Sequence, residues 1–167
     1  PELLERKENV ISKHSWFKAD ETNKGKPVKW VKSPFKSFDN VLMPESTITG
    51  IKYLKSHPAL QNPEKKVVLN MSELTPLYHE IGFPPLKNGP MWYHENVALF
   101  TNEINTICNN IENNMYDLVL FEEIPDLNNF YPEKIRECLM SNYKLDNKFL
   151  APRELNNSTI EVYVRDE

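Results

Sequence analysis

The chain has 167 residues, 40% of them hydrophobic and 26% charged. That is enough for one domain burying roughly two-thirds of its unfolded surface, and it excludes disorder throughout. The formal charge of −4 argues against a nucleic-acid partner, since such domains carry a basic excess on one face; Lys24, Lys26, Lys29, Lys32 and Lys36 are a local exception.

Residues 1–40 are Lys-rich, with Trp16, Phe17, Trp30, Phe35 and Phe38 in no sustained period. They read as an irregular arm or linker that packs its aromatics on the domain, with a short strand near Val28–Val31. A single α/β domain is expected over 41–167. Val41–Met43 reads as a strand. Pro44-Glu-Ser then opens a helix with Ile48, Ile51 and Leu54 at three-residue steps, and it stops at Ser56-His57-Pro58 because a residue before proline disfavours the α conformation.

Val67–Asn70 is the next strand. A short helix follows, with Thr75 as N-cap, Pro76 at its first position and Gly82 as its stop. Three prolines and a glycine between Phe83 and Glu95 forbid regular structure there. Val97, Phe100, Ile104, Ile107, Cys108 and Ile111 give helical spacing over four turns. Tyr116–Phe121 is apolar without alternation, as strands covered on both faces are. A helix from Pro132 buries Ile135, Cys138 and Leu139. Two strand-like segments remain, Lys144–Leu150 and Thr159–Arg165, the second alternating Ile160, Val162 and Val164 against a wet face of Glu161, Tyr163 and Arg165.

The fold expected is a three-layer α/β sandwich: a mostly parallel sheet (strands near 67–70, 116–121 and 144–150), a C-terminal antiparallel strand near 159–165, and helices on both faces. The eight residues between the last two strands are too few for a helical crossover, so those strands pair antiparallel. Cys108 and Cys138 each fall on an apolar helix face and are expected as buried thiols rather than a bridge. The longest apolar runs, four to six residues, are far short of the ~20 that cross a bilayer. The chain opens at Pro1 rather than methionine, so a fragment or processed product is expected, with the parent's membrane segments left open.

The only glycines are Gly25, Gly50, Gly82 and Gly89, so neither a Rossmann fingerprint nor a Walker A loop can be written. Gly-x-Ser-x-Gly, His-Glu-x-x-His and Cys-x-x-Cys are also missing. No catalytic residue, metal site or cofactor is therefore assigned. Candidate ligand-binding residues sit where open α/β sheets place ligands, at the carboxyl ends of parallel strands. Ser72, Glu73, Thr75 and His79 follow one strand; Glu122, Glu123 and Asp126 follow the next; Trp92, Tyr93, His94 and Glu95 lie in the Pro-rich loop. Carboxylates in such a crevice can act as acid and base or hold a divalent cation, and flat aromatics suit sugar rings. A plainer reading stands beside this one: Ser72 or Thr75 as helix caps, the acids as solvated loop residues, His79 as a hydrogen-bonder, and Trp92 and Tyr93 as plugs over the sheet edge.

Four stretches carry a family resemblance: Val41-Leu-Met-Pro-Glu-Ser-Thr-Ile-Thr-Gly-Ile-Lys-Tyr-Leu, Val67-Val-Leu-Asn-Met-Ser-Glu-Leu-Thr-Pro-Leu, Tyr116-Asp-Leu-Val-Leu-Phe-Glu-Glu and Ile160-Glu-Val-Tyr-Val-Arg165. Together, over roughly 41–165, they resemble the soluble C-terminal extramembrane domain of bacterial polytopic membrane glycosyltransferases, which use lipid-linked sugars. The resemblance implies an extracytoplasmic, periplasmic domain tethered to a membrane through residues 1–40. Its implied partners are the membrane-embedded remainder of the parent protein, or glycan. That family keeps its catalytic acids in loops between membrane helices, which this chain lacks, so the chain is expected to be inert as an isolated piece. A small stand-alone hydrolase or transferase and a protein-interaction module are the alternatives.

Overall fold

The computed structural model describes residues 28–87, 89–90, 92–125, 130–153 and 158–165. Trp16, Phe17 and Asp126, named above, lie outside them. In chain order the strands are β1 (Trp30–Lys32), β2 (Leu42–Pro44), β3 (Val68–Met71), β4 (Leu118–Glu123), β5 (Tyr143–Leu150) and β6 (Thr159–Arg165). The α-helices among the described residues are α1 (Glu45–Ser56), α2 (Leu77–Ile81), α3 (Thr101–Glu112) and α4 (Glu133–Asn142). β1 and β2 form an antiparallel pair, and the other strands form one mixed sheet in the order β3-β4-β6-β5.

The adjacent parallel pair anticipated between the two apolar runs is present, with Val68 opposite Leu118 and Met71 opposite Phe121. The sheet is nevertheless not mostly parallel. β5 runs in the same direction as β3 and β4, but β6 lies between β4 and β5 and pairs antiparallel with both. The short β5–β6 link explains this: it forces a hairpin, and the hairpin's second strand takes the place beside β4 that a third parallel strand would occupy. β3 is thereby an edge strand rather than a central one, although Val68, Leu69 and Met71 are all buried.

Side chains alternate across the strands into two cores. Val68, Leu118, Leu120, Ile160 and Val162 pack with Ile51 and Leu54 of α1, Leu77 of α2, and Phe35, Phe38 and Met43. Leu69, Met71, Val119, Phe121 and Tyr163 pack with Ile104, Ile107 and Ile111 of α3 and Ile135 and Leu139 of α4. The steps β3→β4 and β4→β5 move in the same direction across the sheet, so right-handed crossovers put α3 and α4 side by side on one face.

That adjacency corrects the reading of the cysteines. Cys108 on α3 and Cys138 on α4 form a disulfide, with their Cα atoms 5.7 Å apart; each completes its own helical stripe, and the two stripes face one another. It also corrects the wet face assigned to β6, because Glu161 and Tyr163 are each only 2% exposed beneath α4. α3 begins at Thr101 rather than Val97: Val97 and Phe100 are 72% and 55% exposed, and Asn96 takes a left-handed turn conformation with φ of 60°. Gly82 ends α2 as expected, in the left-handed region at φ 97°, its N–H donating to Tyr78 O.

Candidate functional site

The carboxyl ends of β3 and β4 meet the β5–β6 link, and three loops converge there. Ser72 turns away from the crevice: its hydroxyl donates to Asn70 Oδ1 at 2.6 Å and accepts the Leu74 N–H at 3.3 Å. It locks the turn after β3 and does not cap α2, which has no side-chain cap. Thr75 is exposed.

Glu122 is the centre of the cluster and is 1% exposed. Its Oε2 accepts the Glu73 N–H at 2.8 Å, and its Oε1 accepts the Ser158 hydroxyl at 2.7 Å and Arg153 Nε. Arg153 Nη2 lies 3.3 Å from Glu73 Oε1, close enough for attraction. It is not aligned for a hydrogen bond and is a buried donor without an acceptor among the described residues. The guanidinium sits over the Phe130 ring, 5.0 Å from its centroid. Glu73 Oε1 also accepts the Tyr131 hydroxyl at 3.1 Å, with His94 Nε2 at 3.7 Å. Burial first, and then the negative charges of Glu122 and Glu73, push the Tyr131 hydroxyl above its ordinary pKa, so it stays a donor. The His94 ring lies 4.0 Å from Phe130 and 5.7 Å from Trp92, which is 54% exposed.

Of the sequence candidates, Glu73, Glu122, His94 and Trp92 are thus gathered in one place. Glu123 is not, because successive strand residues point to opposite faces. It belongs to a second cluster against α4, where it pairs with Lys148 at 2.7 Å and Arg136 at 3.3 Å. There, buried Glu161 takes two hydrogen bonds from Arg136, at 2.8 and 2.9 Å, with Lys148 at 3.1 Å and the Tyr163 hydroxyl at 2.7 Å. Burial pushes the Glu161 carboxyl up, but the hydrogen bonds from Arg136, Tyr163 and Lys148 outweigh it and hold the pKa below the usual range.

His79 is exposed on α2 against the Tyr78 ring. Tyr93 is half-buried, and burial pushes its hydroxyl up to about 12; it lines cavities on the β3 side of the Pro-rich loop. His57, at the other end of the sheet, has both ring nitrogens engaged, Nδ1 by the Ala59 N–H at 3.0 Å and Nε2 by Asp146 Oδ2 at 3.1 Å. Among the described residues no group of three or more His, Cys, Asp or Glu side chains is placed to hold a metal ion.

Sequence reasoning missed Arg153, Tyr131 and Ser158. The usable signal was the hairpin itself: once β6 lies beside β4, register places Glu123 opposite Thr159, which brings Ser158, the residue before β6, to the carboxyl end of β4. Chemically, the cluster ties its buried carboxylate to its own donors. Glu122 accepts on both oxygens from Glu73 N–H, Ser158 and Arg153, whereas Glu73, whose side chain is 39% exposed, accepts from Tyr131 on Oε1. In comparisons with known proteins, the chain matches no protein-family model, no curated protein and no solved structure.

Proposed function

We propose that the chain is a non-catalytic, extracytoplasmic accessory domain of a membrane-bound, glycosyltransferase-like protein, built as a three-layer sandwich with α1 and α2 on one face of the sheet and α3 and α4 on the other. The observation that carries this reading is the Cys108–Cys138 disulfide. Structural disulfides persist in oxidising compartments and are rare where glutathione keeps thiols reduced. The clasp on Glu122 supports the non-catalytic part, since a working general base needs an oxygen within reach of its proton. The two separate cores support the sandwich.

The membrane-embedded remainder of the parent is the proposed partner. Three large apolar side chains, Trp92, Val97 and Phe100, are more than half exposed within nine residues before α3, and exposed apolar surface of this kind is what docking covers. No helix among the described residues is long and apolar enough to cross a membrane, so in this reading the anchor belongs to another part of the parent. The test is an assay of the purified chain with lipid-linked sugars and with chromogenic glycosides. No turnover is expected; turnover abolished by Glu122→Gln would overturn the reading in favour of a stand-alone hydrolase or transferase.

A further inference from the structure

Two cavities open side by side on the β3 edge, beneath the Pro-rich loop. The first, of about 310 Å³, has Leu69, Leu99 and Ile107 among its apolar lining, and the second, of about 380 Å³, has Val68 and Phe83. Leu86, Gly89, Pro90 and Tyr93 line both, so the two adjoin along a shared wall to which Tyr93 contributes the largest side chain.

The polar chemistry of the cleft is almost wholly uncharged. Asn102, Thr106 and Asn110 of α3 line the first compartment at four-residue steps, which stacks them along one helical stripe. Among the described residues its charged groups are one of each sign, Lys87 and Glu103, and the Glu103 carboxylate is already engaged by the Phe100 N–H at 3.1 Å. Among the described residues, the lining of the second compartment has no Lys, Arg, His, Asp or Glu; its polar side chains are Asn70, Thr75, Tyr78 and Tyr93. Burial keeps the Tyr93 and Tyr116 hydroxyls protonated.

We propose that this cleft binds a neutral glycan, with one sugar ring on either side of Tyr93. Part of the hydrogen-bonding capacity of the lining is used internally, by Thr106 donating to Asn102 O, Asn110 to the Tyr116 hydroxyl, and Asn70 bonded to Leu74 O and Ser72; an amide or hydroxyl offers more than one site, and what remains matches the hydroxyls of a sugar, while the apolar floor takes the C–H face of the ring. An ionised ligand finds no net opposite charge to offset its desolvation. A water occupies about 30 Å³ of liquid, so each compartment has the room of roughly ten waters or a little more, which suits a six-membered ring with its hydroxyls. The inference adds a ligand class to the accessory reading and rests on it only for the source of such a glycan.

The test is a heteronuclear NMR titration of the 167-residue chain with maltose, cellobiose, mannobiose and diacetylchitobiose, and with digalacturonate as the charged arm. Saturable shifts centred on Leu86, Tyr93 and Thr106 are expected from at least one neutral disaccharide and from none of the charged one. Thr106→Trp, which fills the first compartment from an exposed helical position, is expected to weaken binding about tenfold or more, and Asn102→Ala to weaken it by less, as loss of one or two hydrogen bonds does. Tyr93→Phe, which keeps the ring in the shared wall, guards against a variant that merely unfolds and is expected to retain binding within about tenfold. No saturable shift from any neutral disaccharide, shifts indifferent to Thr106→Trp, or preference for digalacturonate would each overturn the proposal. Turnover of a sugar substrate is a separate outcome: it would sink the accessory reading and leave the cleft's occupancy untouched.

Discussion

The ring of Phe149 stands where a β-carbon on Gly50 would be, with ring atoms 2.3 Å from that position. The helix α1 therefore lies directly on β5, and the Thr47 hydroxyl donates to Leu150 O at 2.6 Å across the same contact. Glycine inside a helix costs about 1 kcal/mol relative to alanine, so Gly50→Ala on an uncrowded helix stabilises. Here overpacking reverses the sign. Gly50→Ala is expected to destabilise by about 1–3 kcal/mol, read as a lowered urea midpoint at unchanged slope. A raised midpoint would mean that Phe149 has another place to go.

The Cys108–Cys138 bridge joins residues 30 apart in sequence. Closing a loop of that length removes unfolded-state entropy equivalent to about 3–4 kcal/mol. Urea unfolding with and without reductant, or of a Cys108→Ala/Cys138→Ala variant against wild type, is expected to show a loss of that order. A difference under about 0.5 kcal/mol, the scatter of surface substitutions, would mean the bridge adds nothing to the stability of the α3–α4 layer.

The elements that could be read directly were those whose pattern is local. α1 needed only Ile48, Ile51 and Leu54 and the stop before Pro58; α4 needed Pro132 and the Ile135–Leu139 stripe; Gly82 marked its own left-handed turn. What could not be read was anything set by which elements become neighbours. The disulfide depends on α3 and α4 sharing a face. The burial of Glu161 depends on α4 bringing Arg136 over a face whose charged residue otherwise signals water. The cluster around Glu122 depends on β6 inserting beside β4, which carries Ser158 and Arg153 to a carboxylate more than thirty residues earlier. Phe100 shows a local failure too: its spacing continues the α3 stripe, yet the chain at Asn96 has turned out of the helix.

Removing Arg153 leaves the buried Glu122 carboxylate without its cation. Breaking a buried pair in this way costs about 3–5 kcal/mol. Arg153→Ala is expected near the lower end of that range, because the Ser158 hydroxyl and Glu73 N–H remain. Lys29→Ala, which loses only an exposed pair with Glu45, is expected to cost less than about 1 kcal/mol. Chemical denaturation of both variants checks this. Equal effects would mean that the Glu122 cluster is no more buried in solution than the surface.

Glu161 sets a pH dependence with a definite sign. Its folded pKa is held below that of an ordinary glutamate, so the unfolded state binds its proton first as pH falls. Its stabilisation is therefore complete well above pH 4.5 and is lost as pH drops through the folded value. Unfolding free energy measured between neutral pH and pH 3 is expected to fall more steeply for wild type than for Glu161→Gln, which has no proton to gain. Parallel curves would assign the acid sensitivity to other carboxylates.

Whether the domain faces an oxidising compartment is tested most directly by thiol trapping in intact cells that express the parent protein. Cells are quenched with a thiol-alkylating reagent under denaturing conditions without reductant, and the peptides carrying Cys108 and Cys138 are read by mass spectrometry. The expected result is no alkylation of either cysteine until the sample is first reduced, and alkylation of both afterwards. Both cysteines alkylated before any reduction would contradict the bridge in the cell, and with it the extracytoplasmic placement that rests on it.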